Sequence, residues 1–316
     1  MEDPEAVKRF SPPPEPSVYV EGELIQPGTA ACWGCGIPLV LRHMLDILGP
    51  NTVMARAPGC AGVNLGITPF QTMLGIPYTL SNFASTAAMA TGLKRGLRSR
   101  GKADVNVVAL CGDGGTVDIG LQSLSGAAER GESLIFICYD NEAYMNTGIQ
   151  RSGSTPLGAW TTTTPVGKVW RGKKRTRKNI DLIMAAHKIP YVATASVAYI
   201  RDYKMKIKKA FEVTRAGKGL AFIHVHQPCP TGWRFPGEKA IEVARTAVQT
   251  GAWSLFEAEE GKLRVNVKPR ELVPVSEYLK SQGRFRHLSE EQIANIQEVV
   301  TGNYEKLLEL EKTGIY

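Results

Sequence analysis

Val105-Asn106-Val107-Val108-Ala109-Leu110-Cys111-Gly112-Asp113-Gly114-Gly115 is an apolar run that ends in a glycine-rich turn. The run reads as a buried strand, and a glycine turn that opens a helix aims backbone N–H groups at an anion. Gly112, Gly114 and Gly115 let that backbone approach phosphate oxygens with no side chain in the way. Asp113 stands in the turn, and Asn141 follows the next apolar run, with 26 residues between Gly114 and Asn141. These two oxygen ligands suit a magnesium ion that already carries phosphate oxygens.

Downstream the pattern alternates regularly. Strands are expected at 105–111, 134–139, 191–195 and 220–226, and helices at about 116–130 (closed by Gly131), 181–188 and 201–216. This is the rhythm of an α/β fold with a doubly wound, mostly parallel sheet. Continuous apolar strands such as Leu134 to Tyr139 imply helices on both faces. The motif loops then fall at the carboxyl ends of strands, where open α/β sheets bind ligands. Three parts are expected: an extended arm at 1–25 rich in proline, a binding domain at 26–253, and an assembly extension at 254–316. In the last part Ser289 and Gln292 have capping-box spacing, and Ile293, Ile296, Val300, Tyr304, Leu307 and Leu308 repeat at helical spacing.

With 316 residues, 43% of them hydrophobic, the chain can bury one large core. No stretch approaches the ~20 apolar residues of a membrane span, and the N-terminus has no basic-then-apolar signal pattern, so a cytoplasmic protein without a membrane partner is expected. The net charge of +8 owes much to Gly167–Lys178, which holds seven basic residues. No aromatic-interleaved recognition module accompanies them, so the segment reads as a solvated loop or a face for an acidic partner rather than a nucleic-acid site.

Six cysteines are too few for a disulfide scaffold. Cys32 and Cys35 form a C-x2-C pair, Cys60 follows after 24 intervening residues, and Cys229 lies far downstream. Four thiolates serve a [4Fe–4S] cluster or a structural zinc, and the residues alone leave both open. A zinc- or cluster-stabilised binding module with a purely structural GDG turn is the alternative to an enzyme. Cys111 and Cys138 sit among apolar strand residues and read as core, and His224 and His226 share one strand face in an expected structural role.

The text around the glycine turn resembles one family. Cys32-Trp33-Gly34-Cys35-Gly36, Pro58-Gly59-Cys60, Asn146-Thr147-Gly148-Ile149-Gln150 and Cys229-Pro230-Thr231-Gly232-Trp233, with GDG and its distant asparagine, resemble the beta subunit of the pyruvate:ferredoxin oxidoreductase family. That family includes oxalate oxidoreductase and other 2-oxoacid:ferredoxin oxidoreductases. The resemblance spans about Gly28 to Trp253.

The resemblance implies thiamine diphosphate held on Mg2+, with Asp113, the Asn141 side chain and the Ala143 carbonyl as metal ligands, Asn146 against the diphosphate and Cys60 beside the cofactor. It also implies that Cys32, Cys35, Cys60 and Cys229 ligate one [4Fe–4S] cluster. The activity implied is oxidative decarboxylation of a small 2-oxo acid, with electrons passing through the cluster to ferredoxin; a cluster-free thiamine decarboxylase is the rival within the enzyme class. No glutamate stands in a recognisable motif for activating the aminopyrimidine, which implies that another subunit supplies it and that the enzyme is a hetero-oligomer, a dimer of heteromers. The pattern departs at Ala61-Gly62-Val63, where pyruvate enzymes carry a larger residue and a glutamate, and at Ile37, where single-chain members carry a cofactor-contacting glutamate. Pyruvate, with coenzyme A, and oxalate, without it, are therefore both candidate substrates.

Overall fold

The computed structural model describes residues 22–66, 73–168 and 171–316. Residues 1–21 of the arm expected at 1–25 lie outside the described residues; Ile25, at the end of that expected arm, is buried and bridges to Leu74. Eight strands form one sheet: β1 (Thr52–Arg56), β2 (Tyr78–Leu80), β3 (Asn106–Gly112), β4 (Ile135–Asp140), β5 (Tyr191–Ser196), β6 (Ala221–His226), β7 (Phe256–Glu259) and β8 (Lys262–Val265). Their order is β2-β1-β3-β4-β6-β5-β7-β8. The pairs from β2 through β5 are parallel, and β7 and β8 join antiparallel.

Alternate residues of the central strands feed two cores. Val108, Leu110, Ile135, Ile137, Ile223 and Val225 face one way, onto α1 (Ile37–Leu48) and α6 (Ile200–Arg215). Val107, Ala109, Phe136, Cys138 and Phe222 face the other, onto α3 (Thr86–Ser99), α4 (Leu121–Glu129) and α5 (Ile180–Ala186). Every residue of β4, β5 and β6 is buried, as a strand covered on both faces requires. α1 forms because Val40, Leu41, Met44, Leu45 and Leu48 recur on one face behind an N-terminal proline. The Tyr203 hydroxyl of α6 donates to the Val40 carbonyl at 3.0 Å and ties the two helices of that layer.

The expected strands and helices after residue 105 are present to within a residue or two, except at the glycine turn. There the chain makes a wide π turn, Gly114–Asp118, before α4 begins at Leu121. The segment beyond 253, expected as a separate assembly extension, joins the same sheet and core. β7 and β8 extend the sheet from β5, and α10 (Glu290–Thr313) lays Leu307 against Phe256, Leu263 and Val265 in the second core. Its capping box is formed, with Ser289 and Gln292 each satisfying the other's backbone. Among the described residues no helix is long and apolar enough to cross a membrane.

Strand order positions the site. Winding runs outward from β1 to β2 and then restarts at β3 in the other direction, so the switch lies between β1 and β3. The carboxyl ends of β1, β3, β4 and β6 stand side by side, and they deliver Cys60, Asp113, Asn141 and Cys229 respectively.

Candidate active site

A cleft of about 180 Å3 opens at these strand ends, lined by Pro58, Gly59, Cys60, Phe83, Gly112, Asp113, Gly114, Tyr139, Asn141, Ala143, Tyr144, Met145, Asn146 and Thr147. Of the residues expected at the cofactor, Gly112, Asp113, Gly114, Asn141, Ala143, Asn146 and Cys60 all border it, while Gly115 packs behind. The glycines are needed for close packing: a Cβ on Gly114 would lie 2.6 Å from the Tyr144 ring, and one on Gly115 would lie 2.5 Å from Cys111 Sγ.

The floor of the cleft gathers oxygens. The Asn141 side-chain oxygen lies 3.2 Å from Asp113 Oδ1 and 3.0 Å from the Ala143 carbonyl oxygen. Oxygens so close repel unless something positive sits among them. The carboxamide turned half round would bring its NH2 onto both neighbours; a cation would leave it as it stands. Adjacent ligands of an octahedral Mg2+ at about 2.1 Å are about 3 Å apart, so the donor set fits that ion. In the orientation that turns its oxygen inward, the same amide places its nitrogen 4.0 Å from Cys60 Sγ. Burial, then the charges of Asp140 and Glu142, pushes the Asp113 carboxyl well above the usual range, although Ser152 Oγ donates to it at 2.5 Å. A cation at this point reverses that logic.

Behind the oxygens lies a buried polar layer. Asp140 precedes Asn141; its Oδ1 accepts the Glu142 N–H at 2.7 Å, and its Oδ2 meets His224 Nε2 at 2.8 Å and the Ser154 hydroxyl. His224 Nδ1 faces Asp181 at 3.0 Å. Against the cost of burial, two carboxylates hold His224 well above its ordinary pKa, and His224 with Ser154 holds Asp140 below its own. His224 is thus a satisfied core histidine, as expected; His226 is buried too, stacked 4.7 Å from Trp253, with its Nδ1 unpartnered.

Three residues carry the layer without having been singled out for it in the sequence. Trp233 Nε1 donates to the Asn141 carbonyl at 2.9 Å, Ser152 holds Asp113, and Arg284 pairs with Glu142 at 2.5 Å. The Cys-Pro-Thr-Gly-Trp motif contains Trp233 and was the one available signal. The basic segment, expected as a solvated loop or a face for an acidic partner, leaves Lys168, Arg171, Lys174 and Arg175 exposed but ties three other residues to the body of the protein. Lys173 is buried, with its Nζ on the Gly153 and Thr155 carbonyls, Arg177 lies over Trp253 at 4.8 Å, and Lys178 reaches Val117 and Asp118. Burial and then Arg151 lower the Lys173 pKa to about 8.

The four expected cluster cysteines come from three places, Cys32 and Cys35 from one turn ahead of α1, Cys60 from beyond β1 and Cys229 from beyond β6, yet lie within electrostatic reach of one another. Cys32 is exposed, and Cys35, Cys60 and Cys229 are part-buried. Burial, then Cys229 and Cys35, pushes the Cys60 thiol up to about 12; burial and Cys229 push Cys35 up to about 11. N–H groups already point at the sulfurs: Gly232 N at 3.3 Å from Cys229 Sγ, Asn64 Nδ2 at 3.5 Å and Gln227 Nε2 at 3.9 Å from Cys35 Sγ. Among the described residues, no three His, Cys, Asp or Glu side chains close on a single-ion site. Cys111 and Cys138, paired in register across β3 and β4, are core.

Residues 57–225 match the family described as thiamine pyrophosphate enzyme, C-terminal TPP binding domain. The chain is 54% identical over 281 residues to the pyruvate synthase subunit PorB of Methanothermobacter marburgensis, covering 89% of this chain and 96% of that one. It is 44% identical over 318 residues to the ketoisovalerate oxidoreductase subunit VorB of Pyrococcus horikoshii, covering 98% of each. Its fold is similar to that of a 2-oxoglutarate:ferredoxin oxidoreductase from Magnetococcus marinus, solved with 2-oxoglutarate, coenzyme A and succinyl-CoA, with TM-score 0.54, 22% identity, and coverage of 69% of this chain and 77% of that one.

Proposed function

The chain belongs to the thiamine diphosphate-dependent 2-oxoacid:ferredoxin oxidoreductases, as the beta subunit of a multi-subunit enzyme, and on that premise we propose that its reaction is the coenzyme A-dependent oxidative decarboxylation of pyruvate. The observation that carries the site is the convergence of the Asp113 carboxylate, the Asn141 carboxamide and the Ala143 carbonyl in a cleft whose wall includes Cys60. Pyruvate is favoured by the relatives at 54% identity, which are named pyruvate synthase subunits.

When bound, thiamine diphosphate supplies the carbanion chemistry that releases CO2 from a 2-oxo acid. The chain's own part is to hold and orient. Asp113, Asn141 and Ala143 would ligate Mg2+, the Gly112–Gly115 backbone would face the diphosphate, and Asn146 would close on it. Cys32, Cys35, Cys60 and Cys229 would ligate one [4Fe–4S] cluster, where N–H groups aimed at sulfur help stabilise negative charge. Cys60 belongs to both cleft and cysteine group, so a cluster held by these thiols would supply one-electron acceptance beside the cofactor. Exposed Cys32 and its neighbour Trp33, which is 78% exposed, would offer the face on which a ferredoxin docks. Among the described residues the cleft wall contains no glutamate, and we assign the carboxylate that activates the aminopyrimidine to another subunit.

Substrate is decided by dye reduction in the anaerobically purified complex. Pyruvate should reduce a low-potential dye only with coenzyme A present. Faster reduction by 2-oxoisovalerate would move the assignment to the branched acids, and reduction by oxalate without coenzyme A would overturn it.

A further inference from the structure

Glu142 stands between Asn141 and Ala143, and its backbone is left-handed at φ 62°. A non-glycine residue in that region is strained, and such strain persists only where the surroundings fix it. Here they do so from several sides. The Glu142 N–H donates to Asp140 and its carbonyl accepts from Thr155 Oγ1 at 2.5 Å. Its carboxylate, 3% exposed, is held at 2.5 Å by Arg284, also 3% exposed, with Arg177 3.7 Å away. Arg284 grips the same loop a second time: its guanidinium lies 3.7 Å over the Trp233 ring, and that indole donates to the Asn141 carbonyl.

Arg284 is itself built in. Its Nε donates to Gln282 Oε1 at 2.9 Å, and its carbonyl accepts from Trp160 N at 3.1 Å. Gly283 allows the approach, since a Cβ there would stand 2.8 Å from Arg234 Cβ. The residue comes from beyond β8, 142 positions from its partner and outside the 57–225 stretch that matches the cofactor-binding family.

Resting on the Mg2+–diphosphate reading above, we infer that Arg284 is a positioning residue: it holds Glu142 in its strained turn so that the Asn141 and Ala143 oxygens face the metal. The segment after β8 is then a working part of the cofactor site. A pair that merely fastened the tail would contribute stability and leave cofactor affinity alone.

The test uses the assembled complex stripped of cofactor, with titrations of thiamine diphosphate at saturating Mg2+ and of Mg2+ at saturating thiamine diphosphate. Arg284→Met should raise both dissociation constants about ten- to hundredfold, the range for losing an outer-shell partner of a metal ligand. Arg284→Lys keeps the charge but not the planar stack, and should fall between. Trp233→Phe keeps an aromatic face under Arg284 but removes the indole donor and part of the buried ring, so, with stability measured alongside, it gives a second reading if Arg284→Met fails to assemble. Lys206→Met, which breaks the buried Lys206–Asp202 pair on α6, should lower stability and leave both constants unchanged. Constants within twofold of wild type in Arg284→Lys and Trp233→Phe would overturn the inference. Failure of wild type to bind thiamine diphosphate would instead overturn the cofactor reading beneath it.

Discussion

Gly114 sets the tolerance of the cofactor turn. Its missing side chain leaves room for the Tyr144 ring, whose hydroxyl contacts the Gly114 carbonyl at 3.2 Å and Asp118 at 3.3 Å. Gly114→Ala should displace that ring, cost about 1–3 kcal/mol as overpacking does, and weaken thiamine diphosphate binding, both measurable by melting and titration of the stripped complex. Asp113→Asn keeps the volume but removes the charge. It should reduce Mg2+ affinity by at least the ~10–100-fold of an outer-shell loss, while the apo fold holds or gains stability because the carboxyl is buried and its pKa is raised. Asp113 and Asn141 were legible because a glycine turn and an asparagine after a strand are local signals. Ser152, Trp233 and Arg284 were not, because their partners lie 39, 92 and 142 residues away and no local pattern encodes such contacts.

At the scale of elements, β3, β4, β5 and β6 could be read directly, since a strand buried on both faces is an unbroken apolar run. β7 and β8 escaped notice for the opposite reason. They have one buried face each, Phe256 and Ala258 on one and Leu263 and Val265 on the other, and four residues hold too few alternations to stand out. The result is that the tail, expected to serve assembly, closes one edge of the sheet. α10 was legible through its capping box. Ser289→Ala should cost about 1 kcal/mol, seen as faster hydrogen exchange at Gln292 and Ile293 with the melting of β6 unaltered; uniform protection would mean that packing alone fixes this end.

Across the whole molecule, two histidines one residue apart on β6 titrate in opposite senses. Burial, against the pull of Asp140, lowers His226 from 6.5 to about 3. Below about pH 6.5 the unfolded chain binds a proton that the folded chain refuses, so this stability is present above 6.5 and is lost as pH falls toward 3, with a slope of up to about 1.4 kcal/mol per pH unit. His224 is shifted up, so its contribution is present below 6.5 and is lost as pH rises through its folded pKa. His226→Gln should flatten the fall of the denaturation midpoint between about pH 6.5 and 4.5; an unchanged slope would place the acid limb on other groups.

The central claim is that the carboxyl ends of β1, β3, β4 and β6 bring a thiamine diphosphate site and an electron-carrying cysteine group to a shared wall at Cys60. The most direct measurement is on the anaerobically purified complex, where iron and thiamine diphosphate bound to this chain are quantified and the cluster's visible absorption is followed after adding pyruvate and coenzyme A. The account predicts about four irons and one thiamine diphosphate per chain, bleaching by substrate, and loss of that bleaching in Cys60→Ser. Zinc in place of iron, or full turnover in Cys60→Ser, would contradict it.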